Sequence, residues 1–197
     1  VCPALERLGI PPCDSHLYIM NGCNQIDIQG KSHMGLEDGE VSLLKALEYA
    51  LFDGKCLLTD QYVGARTGDA SQFATFEDVM NAYKKQVENS IRLTVSLANR
   101  SQKVYSEHGP NPLRSCLIEG CLEKGKDYKS GGPLYNHGQV LAEGLADTID
   151  SLVAIKHFVF DTKEYDMPTL LAALKADFVG YEDMQTKLRS YEQKFGN

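Results

Sequence analysis

Two short segments with β-strand patterns flank a glycine-containing bend, and this arrangement constrains the fold more than any other feature of the chain. Residues 16–20 (HLYIM) form an apolar run, and residues 25–29 (QIDIQ) alternate between polar and apolar side chains. A short apolar run between turn signals is typical of a buried strand, and period-two alternation is typical of a strand with one buried face. The pattern therefore predicts two strands, with Cys23 in the bend between them.

Helical patterns fill most of the remaining chain. The first predicted helix begins near Asp38–Glu40 and ends at Gly54. The second begins at a capping pattern, Thr75 with Asp78, and runs to about His108. Further helices are predicted over residues 113–125, 145–160 and 166–178 and in the charged tail. We expect the helix over 145–160 to be well buried. Short strands that alternate with helices favour a helix-rich α/β fold, in one domain or at most two small ones.

Composition excludes several classes of function. The net charge of −7 over 197 residues argues against nucleic-acid binding, and no apolar stretch approaches the roughly 18 residues that a membrane span requires. The six cysteines include no C-x-x-C pair, so we expect neither a bound metal nor a disulfide framework. Reduced thiols and the missing export signal favour a cytoplasmic location.

Four segments resemble the glycyl radical enzyme family, which includes pyruvate formate-lyase and the glycerol dehydratases. They are RLGIPPCDSHLYIMNGC (7–23), TGDASQFATFEDVMNAYKKQ (67–86), GCLEKGKDYKSGGPLYN (120–136) and LADTIDSLVAIKHFVF (145–160). The resemblance implies part of an α/β barrel, with the active-site cysteine on a loop inside it. We therefore expect residues 1–197 to be a partial pyruvate formate-lyase-like catalytic domain, from which the N-terminal half and the C-terminal glycine-radical loop are absent.

By this resemblance, Cys23 is the catalytic cysteine, and its thiyl radical abstracts hydrogen from a small organic substrate. A thiol S–H bond is weak enough for hydrogen-atom exchange, whereas the O–H bond of serine is too strong. The residues alone leave a second interpretation open, in which Cys23 is a small buried hydrophobic residue in a turn.

The resemblance also implies partners that lie outside this chain. A separate activating enzyme that uses S-adenosylmethionine would install the radical on a glycine beyond these residues. We expect no cofactor bound to this chain, and a homodimer of the full-length protein.

The sequence departs from the family pattern beside the cysteine. Gln25 stands where eliminating members carry glutamate, and a neutral amide cannot hold a proton at neutral pH. Cys23 is followed by Asn24, so the Cys-Cys pair of pyruvate formate-lyase is missing.

We predict that Gln25, Asp27, Glu37, Glu40 and Asn136 bind substrate. Asp27 shares strand parity with Gln25, although an exposed loop carboxylate is the alternative. Glu37 and Glu40 are alternatively charges at a helix N-terminus, and Asn136 is alternatively a turn residue.

The predicted function is therefore a fragment of an anaerobic glycyl radical enzyme, which is a lyase, a dehydratase or similar to formate acetyltransferase. Two alternatives remain, a non-catalytic truncated fragment and an unrelated α/β module with a structural cysteine. The isolated fragment is expected to be inactive.

Overall fold

The structure, a computed structural model, describes residues 1–22, 25–33 and 38–194. The chain forms two compact units. Unit 1 consists of residues 1–40 and 94–141, and unit 2 consists of residues 41–93 and 142–197.

The described residues form short strands and helices of very different length. The strands are β1 (Tyr18–Asn21), β2 (Gln25–Ile28), β3 (Gly39–Ser42) and β4 (Val140–Glu143). The helices are α1 (Cys2–Arg7), α2 (Pro12–Ser15), α3 (Leu43–Leu51), α4 (Phe76–His108), α5 (Pro112–Ser115), α6 (Cys121–Lys124), α7 (Leu145–Ile155), α8 (Met167–Lys175) and α9 (Glu182–Arg189). The predicted helix-rich α/β composition is confirmed.

The two strands predicted around the bend are confirmed, and they pair as an antiparallel hairpin. Asn21 lies opposite Gln25, so residues 22–24 form the connection. Gly22 begins it with φ of +57°, in the left-handed region that glycine adopts most readily. Cys23 itself lies outside the described residues.

The helix predicted from Asp38–Glu40 begins later than expected. Residues 39–42 form β3, which pairs with β4, and α3 begins at Leu43. The Ser42 side chain caps α3 by accepting a hydrogen bond from the Lys45 amide over 3.2 Å. The prediction was wrong because this cap lies after the acidic residues, and Glu40 therefore cannot be a charge at the helix N-terminus.

The long helix predicted from Thr75 to about His108 is confirmed, but the single helix predicted over residues 113–125 is not. Thr75 and Asp78 exchange hydrogen bonds at the start of α4, and the helix ends at His108. The single helix predicted over 113–125 is instead α5 and α6, separated by a turn. Gly120 adopts φ of +94° there, and a Cβ on it would lie 2.8 Å from the Gly132 carbonyl oxygen, so the chain cannot continue as a helix.

Two helices follow in unit 2 as predicted, with one difference in burial. Asp166 caps α8 by accepting a hydrogen bond from the Thr169 amide over 2.8 Å. In α7, by contrast, Leu145 and Ile149 are exposed, so the expectation of a well-buried helix over 145–160 is only partly correct. Its regular part ends at Ile155, and a π-helical turn follows.

The main hydrophobic core lies in unit 2 and joins α3, α4, α7 and α8. Its buried members include Leu47, Val79, Ile155 and Leu170. The α4 residue Gln86, which is fully buried, accepts a hydrogen bond from the Ala65 amide over 2.9 Å and donates one to the Ala65 carbonyl over 2.6 Å. One amide thus holds an irregular loop to the core. Among the residues described, no helix is both long and apolar enough to cross a membrane.

Candidate functional site

Strand β2 presents two polar side chains to the interior of unit 1. Gln25 is 4% exposed and Asp27 is 2% exposed. Residues two apart on a strand point to the same face, so both side chains lie on one side of β2. The predicted strand parity is confirmed, and the interpretation of Asp27 as an exposed loop carboxylate is wrong.

The Gln25 side chain lies against Gly22. A Cβ added at Gly22 would overlap the Oε1 atom of Gln25. The missing side chain at Gly22 therefore allows the Gln25 amide to lie against the backbone that leads into Cys23.

The carboxylate of Asp27 is held at one oxygen only. Its Oδ1 atom accepts a hydrogen bond from the Ser32 hydroxyl, which itself accepts a hydrogen bond from the Ile28 amide over 2.9 Å. The Oδ2 atom is buried and accepts no hydrogen bond from the residues described. No described lysine, arginine or histidine forms an ion pair with Asp27. Most buried polar atoms have a partner, so this oxygen calls for an explanation.

The segment 134–139 packs along β2 and the residues that follow it. Tyr135 forms a parallel bridge with Ser32, and its carbonyl accepts a hydrogen bond from the His33 amide over 3.0 Å. The Gln139 side chain donates a hydrogen bond to the Ile26 carbonyl over 3.0 Å, and its backbone amide donates to Asp38 over 2.7 Å. These bonds fix the stretch that contains Asn136 beside the hairpin.

A second carboxylate anchors the same segment from the other side. Asp14 accepts hydrogen bonds from the Lys31 ammonium over 2.8 Å and from the Tyr135 hydroxyl over 2.5 Å. The hydrogen bonds from Lys31 and Tyr135 hold the pKa of Asp14 below its usual range. The hydrogen bond to Asp14 raises the pKa of Tyr135 to about 12. Both carboxylate oxygens of Asp14 are used, so this group is a structural anchor.

A half-buried histidine lies near Asp27. Burial lowers the pKa of His33 below the usual histidine range, against smaller upward contributions from Asp38 and Asp27. The imidazole stacks on Tyr128 with ring centroids 5.2 Å apart, and the Arg114 guanidinium lies 4.5 Å from the same ring. A neutral imidazole next to buried acceptors can bind polar groups without adding charge.

The predicted site residues separate into three groups. Gln25 and Asp27 are buried together on β2, whereas Glu40 and Asn136 are exposed. Cys23 and Glu37 lie outside the described residues. Sequence reasoning missed Ser32, although a hydroxyl four residues after a strand residue is well placed to bond back to that strand.

Other chemical groups do not add to this site. Among the residues that the structure describes, no group of three or more His, Cys, Asp or Glu side chains could hold a metal ion, and the five described cysteines are free thiols. A groove of about 740 Å³ in unit 2 is lined by leucine and phenylalanine side chains together with lysine, aspartate and serine, and it includes none of the predicted site residues.

Comparison with known proteins gives consistent matches along the whole chain. The family model described as pyruvate formate lyase-like matches residues 1–197. The trans-4-hydroxy-L-proline dehydratase of Clostridioides difficile is 36% identical over 184 residues, which are 93% of this chain and 23% of that protein.

Solved structures of glycyl radical enzymes are also similar to this chain. The glycerol-bound form of the B12-independent glycerol dehydratase from Clostridium butyricum is 29% identical, with a TM-score of 0.89 over 100% of this chain and 25% of its own. A glycyl radical enzyme from Archaeoglobus fulgidus is 33% identical, with a TM-score of 0.88 over 100% of this chain and 25% of its own. The chain therefore spans about a quarter of the length of the proteins it matches.

Proposed function

Because the chain belongs to the pyruvate formate lyase-like family, we propose that it is part of an anaerobic glycyl radical enzyme, a lyase or dehydratase that acts on a small hydroxylated substrate. The match of the family model to all 197 residues carries this proposal. That match confirms the resemblance, and the similar solved structures confirm the helix-rich α/β barrel fold. The position of Cys23 on a loop inside the barrel stays part of the proposal. Two of the three relatives named above are dehydratases of trans-4-hydroxy-L-proline and of glycerol, and both compounds carry hydroxyl groups.

In the proposed reaction, Cys23 exchanges hydrogen atoms with the substrate. The glycine radical used in this family supplies an unpaired electron that can remove a hydrogen atom from a thiol. The Cys23 thiol gives up that atom, and the resulting sulfur radical takes a hydrogen atom from a substrate C–H bond. The S–H bond is thereby restored, and the unpaired electron is left on the substrate carbon. Cys23 lies in the sequence between the paired residues Asn21 and Gln25, and this position suits a role in hydrogen transfer, which requires near-contact distances.

Gln25 would orient a polar group of the substrate. Its amide lies over the backbone before Cys23 and can both donate and accept hydrogen bonds. Acetyl transfer by adjacent cysteines is disfavoured, since Asn24 follows Cys23. A lyase or dehydratase is therefore better supported than a formate acetyltransferase.

The remaining parts of the proposal concern the whole protein. It would be a cytoplasmic homodimer that receives its radical from a separate activating enzyme that uses S-adenosylmethionine. Residues 1–197 alone would be inactive, because they correspond to about a quarter of each relative.

Replacement of Cys23 in the intact, activated protein tests the proposal. Cys23→Ala should abolish turnover of a hydroxylated substrate while the glycine-centred electron paramagnetic resonance signal persists. Cys13→Ala is the matched control, since Cys13 is an exposed free thiol, and it should keep both turnover and signal. Turnover by the Cys23→Ala protein would remove this residue from the mechanism.

A further inference from the structure

The buried carboxylate of Asp27 has a free acceptor position on the strand face where the site begins. Its Oδ2 atom is buried, and no described residue donates a hydrogen bond to it. A carboxylate removed from water without an ion pair is unfavourable, so such groups are retained where another molecule or a function compensates. Among the described residues, the hydrogen bond from Ser32 offsets this cost at Oδ1, and nothing offsets it at Oδ2.

The other oxygen shows that the carboxylate has a defined orientation. The Ser32 hydroxyl lies within hydrogen-bond distance of Asp27 Oδ1 and of the Ile28 carbonyl, the latter at 3.1 Å, and its oxygen accepts a hydrogen bond from the Ile28 amide. The parallel bridge between Ser32 and Tyr135 fixes this part of the backbone in turn. Ser32 therefore fixes Oδ1, and the free oxygen Oδ2 points in one fixed direction.

We propose that Asp27, positioned by Ser32, accepts a hydrogen bond from a hydroxyl group of the substrate and thereby supplies the negative charge that Gln25 lacks. This inference rests on the proposed function, because it takes the β2 face as part of the substrate site. Gln25 is neutral and lies two residues before Asp27 on the same face. A buried carboxylate binds a hydroxyl donor more strongly than an amide oxygen does, because a charge-assisted hydrogen bond is stronger than a neutral one.

Asp38 provides a matched control for Asp27 within unit 1. Its Oδ1 accepts a hydrogen bond from the Gln102 side chain over 2.6 Å, and its Oδ2 accepts one from the Gln139 amide over 2.7 Å. Asp38→Asn must disrupt one of these bonds, whereas Asp27→Asn can keep the bond from Ser32. Amide hydrogen exchange in the intact, unliganded protein should therefore become about tenfold faster near residue 38 in Asp38→Asn. It should stay unchanged or become slower near residue 27 in Asp27→Asn, because a buried charge has been removed.

Binding to the unactivated intact protein tests the role in recognition. Glycerol and trans-4-hydroxy-L-proline serve as probes, with affinity measured by calorimetry. Asp27→Asn should bind the recognised probe about tenfold to a hundredfold more weakly than the wild type, the loss expected for one hydrogen bond to a charged group. In the activated protein, Ser32→Ala should raise KM more than it lowers kcat, since it removes the hydrogen bond that orients the carboxylate, together with the one from the Ile28 amide.

Three results would overturn the inference. The first is that Asp27→Asn accelerates amide exchange near residue 27 as much as Asp38→Asn accelerates it near residue 38. The second is that Asp27→Asn binds the probe with unchanged affinity. The third is that the wild type binds neither probe. Failure of the proposed function would give a different result, which is turnover by the Cys23→Ala protein. That result does not depend on the role of Asp27.

Discussion

A methyl group at Gly22 is expected to disturb the site by two separable effects. The first is conformational, because φ at this residue is +57°, a backbone conformation in which residues other than glycine are strained. The second is steric, because the new Cβ would overlap Oε1 of Gln25 and force that buried side chain to move. Gly22→Ala therefore tests whether the Gln25 side chain lies against Gly22.

The two effects have comparable magnitudes. A left-handed conformation costs about 1–2 kcal/mol for an alanine. Displacement of a buried amide from its rotamer and its contacts costs roughly a further 1–2 kcal/mol. The total of about 2–4 kcal/mol should accelerate exchange of the β1 and β2 amides roughly thirtyfold to a thousandfold.

Gly30→Ala separates these two contributions. Gly30 also has a positive φ, of +72°, but nothing lies within 4 Å of a Cβ built on it, so only the conformational cost applies. Hydrogen exchange in the intact protein should therefore give a smaller effect, about 1–2 kcal/mol. In a Gln25→Ala background, the cost of Gly22→Ala should fall to the same range. An equal cost of Gly22→Ala with and without Gln25 would refute the packing of this amide against Gly22.

Two further changes test the anchors of each unit. Gln86→Leu fills the same volume in unit 2 but leaves the amide and the carbonyl of Ala65 without their hydrogen bonds to Gln86. The free energy of unfolding should therefore fall by about 2–5 kcal/mol. An unchanged melting temperature would contradict this. In unit 1, the hydrogen bond from Lys31 is the main cause of the lowered pKa of Asp14. The ionised carboxylate therefore stabilises the folded protein above the usual aspartate pKa, near 3.9. This stabilisation is lost as the pH falls through the lowered pKa. Circular dichroism between about pH 5 and about pH 2 should show this loss in the wild type but not in Asp14→Asn, and identical acid profiles would refute it.

Local patterns in the sequence were sufficient to predict the elements whose signals lie within a few residues. The β1–β2 hairpin followed from the apolar run before Gly22 and the period-two alternation after it. The start of α4 followed from Thr75 and Asp78, which cap the helix through their own side chains and backbone. Signals of this kind do not depend on distant residues, which is why they were reliable.

Elements that depend on distant contacts were predicted less well. Residues 39–42 look like the acidic start of a helix, yet they pair with residues 140–143, about a hundred residues later. The break at Gly120 depends on the backbone at Gly132, which no periodicity of the helix itself can show. Long-range pairing therefore overrode local propensity in both places.

The same distinction explains how much of the site could be predicted. The shared face of Gln25 and Asp27 is a property of one strand, and it was confirmed. The partners that orient the site come from elsewhere, such as Tyr135, which meets Ser32 across about a hundred residues of sequence. The resemblance to a known family supplied the order of the motifs, but it offered no role for Ser32.

Under the proposed function, the geometry of a strand explains how a site with glutamine instead of glutamate at position 25 can still contain a carboxylate. A shift of two residues returns to the same face of β2 and moves the acid by about 6.7 Å along the strand, away from the connection that contains Cys23. Under the proposed function, the carbon that reacts with Cys23 must stay near that connection, whereas the hydroxyl held by Asp27 must lie farther from it. With glutamine at position 25 and aspartate at position 27, the proposed site would therefore favour substrates whose bound hydroxyl is remote from the reacting carbon, and it would still contain a carboxylate.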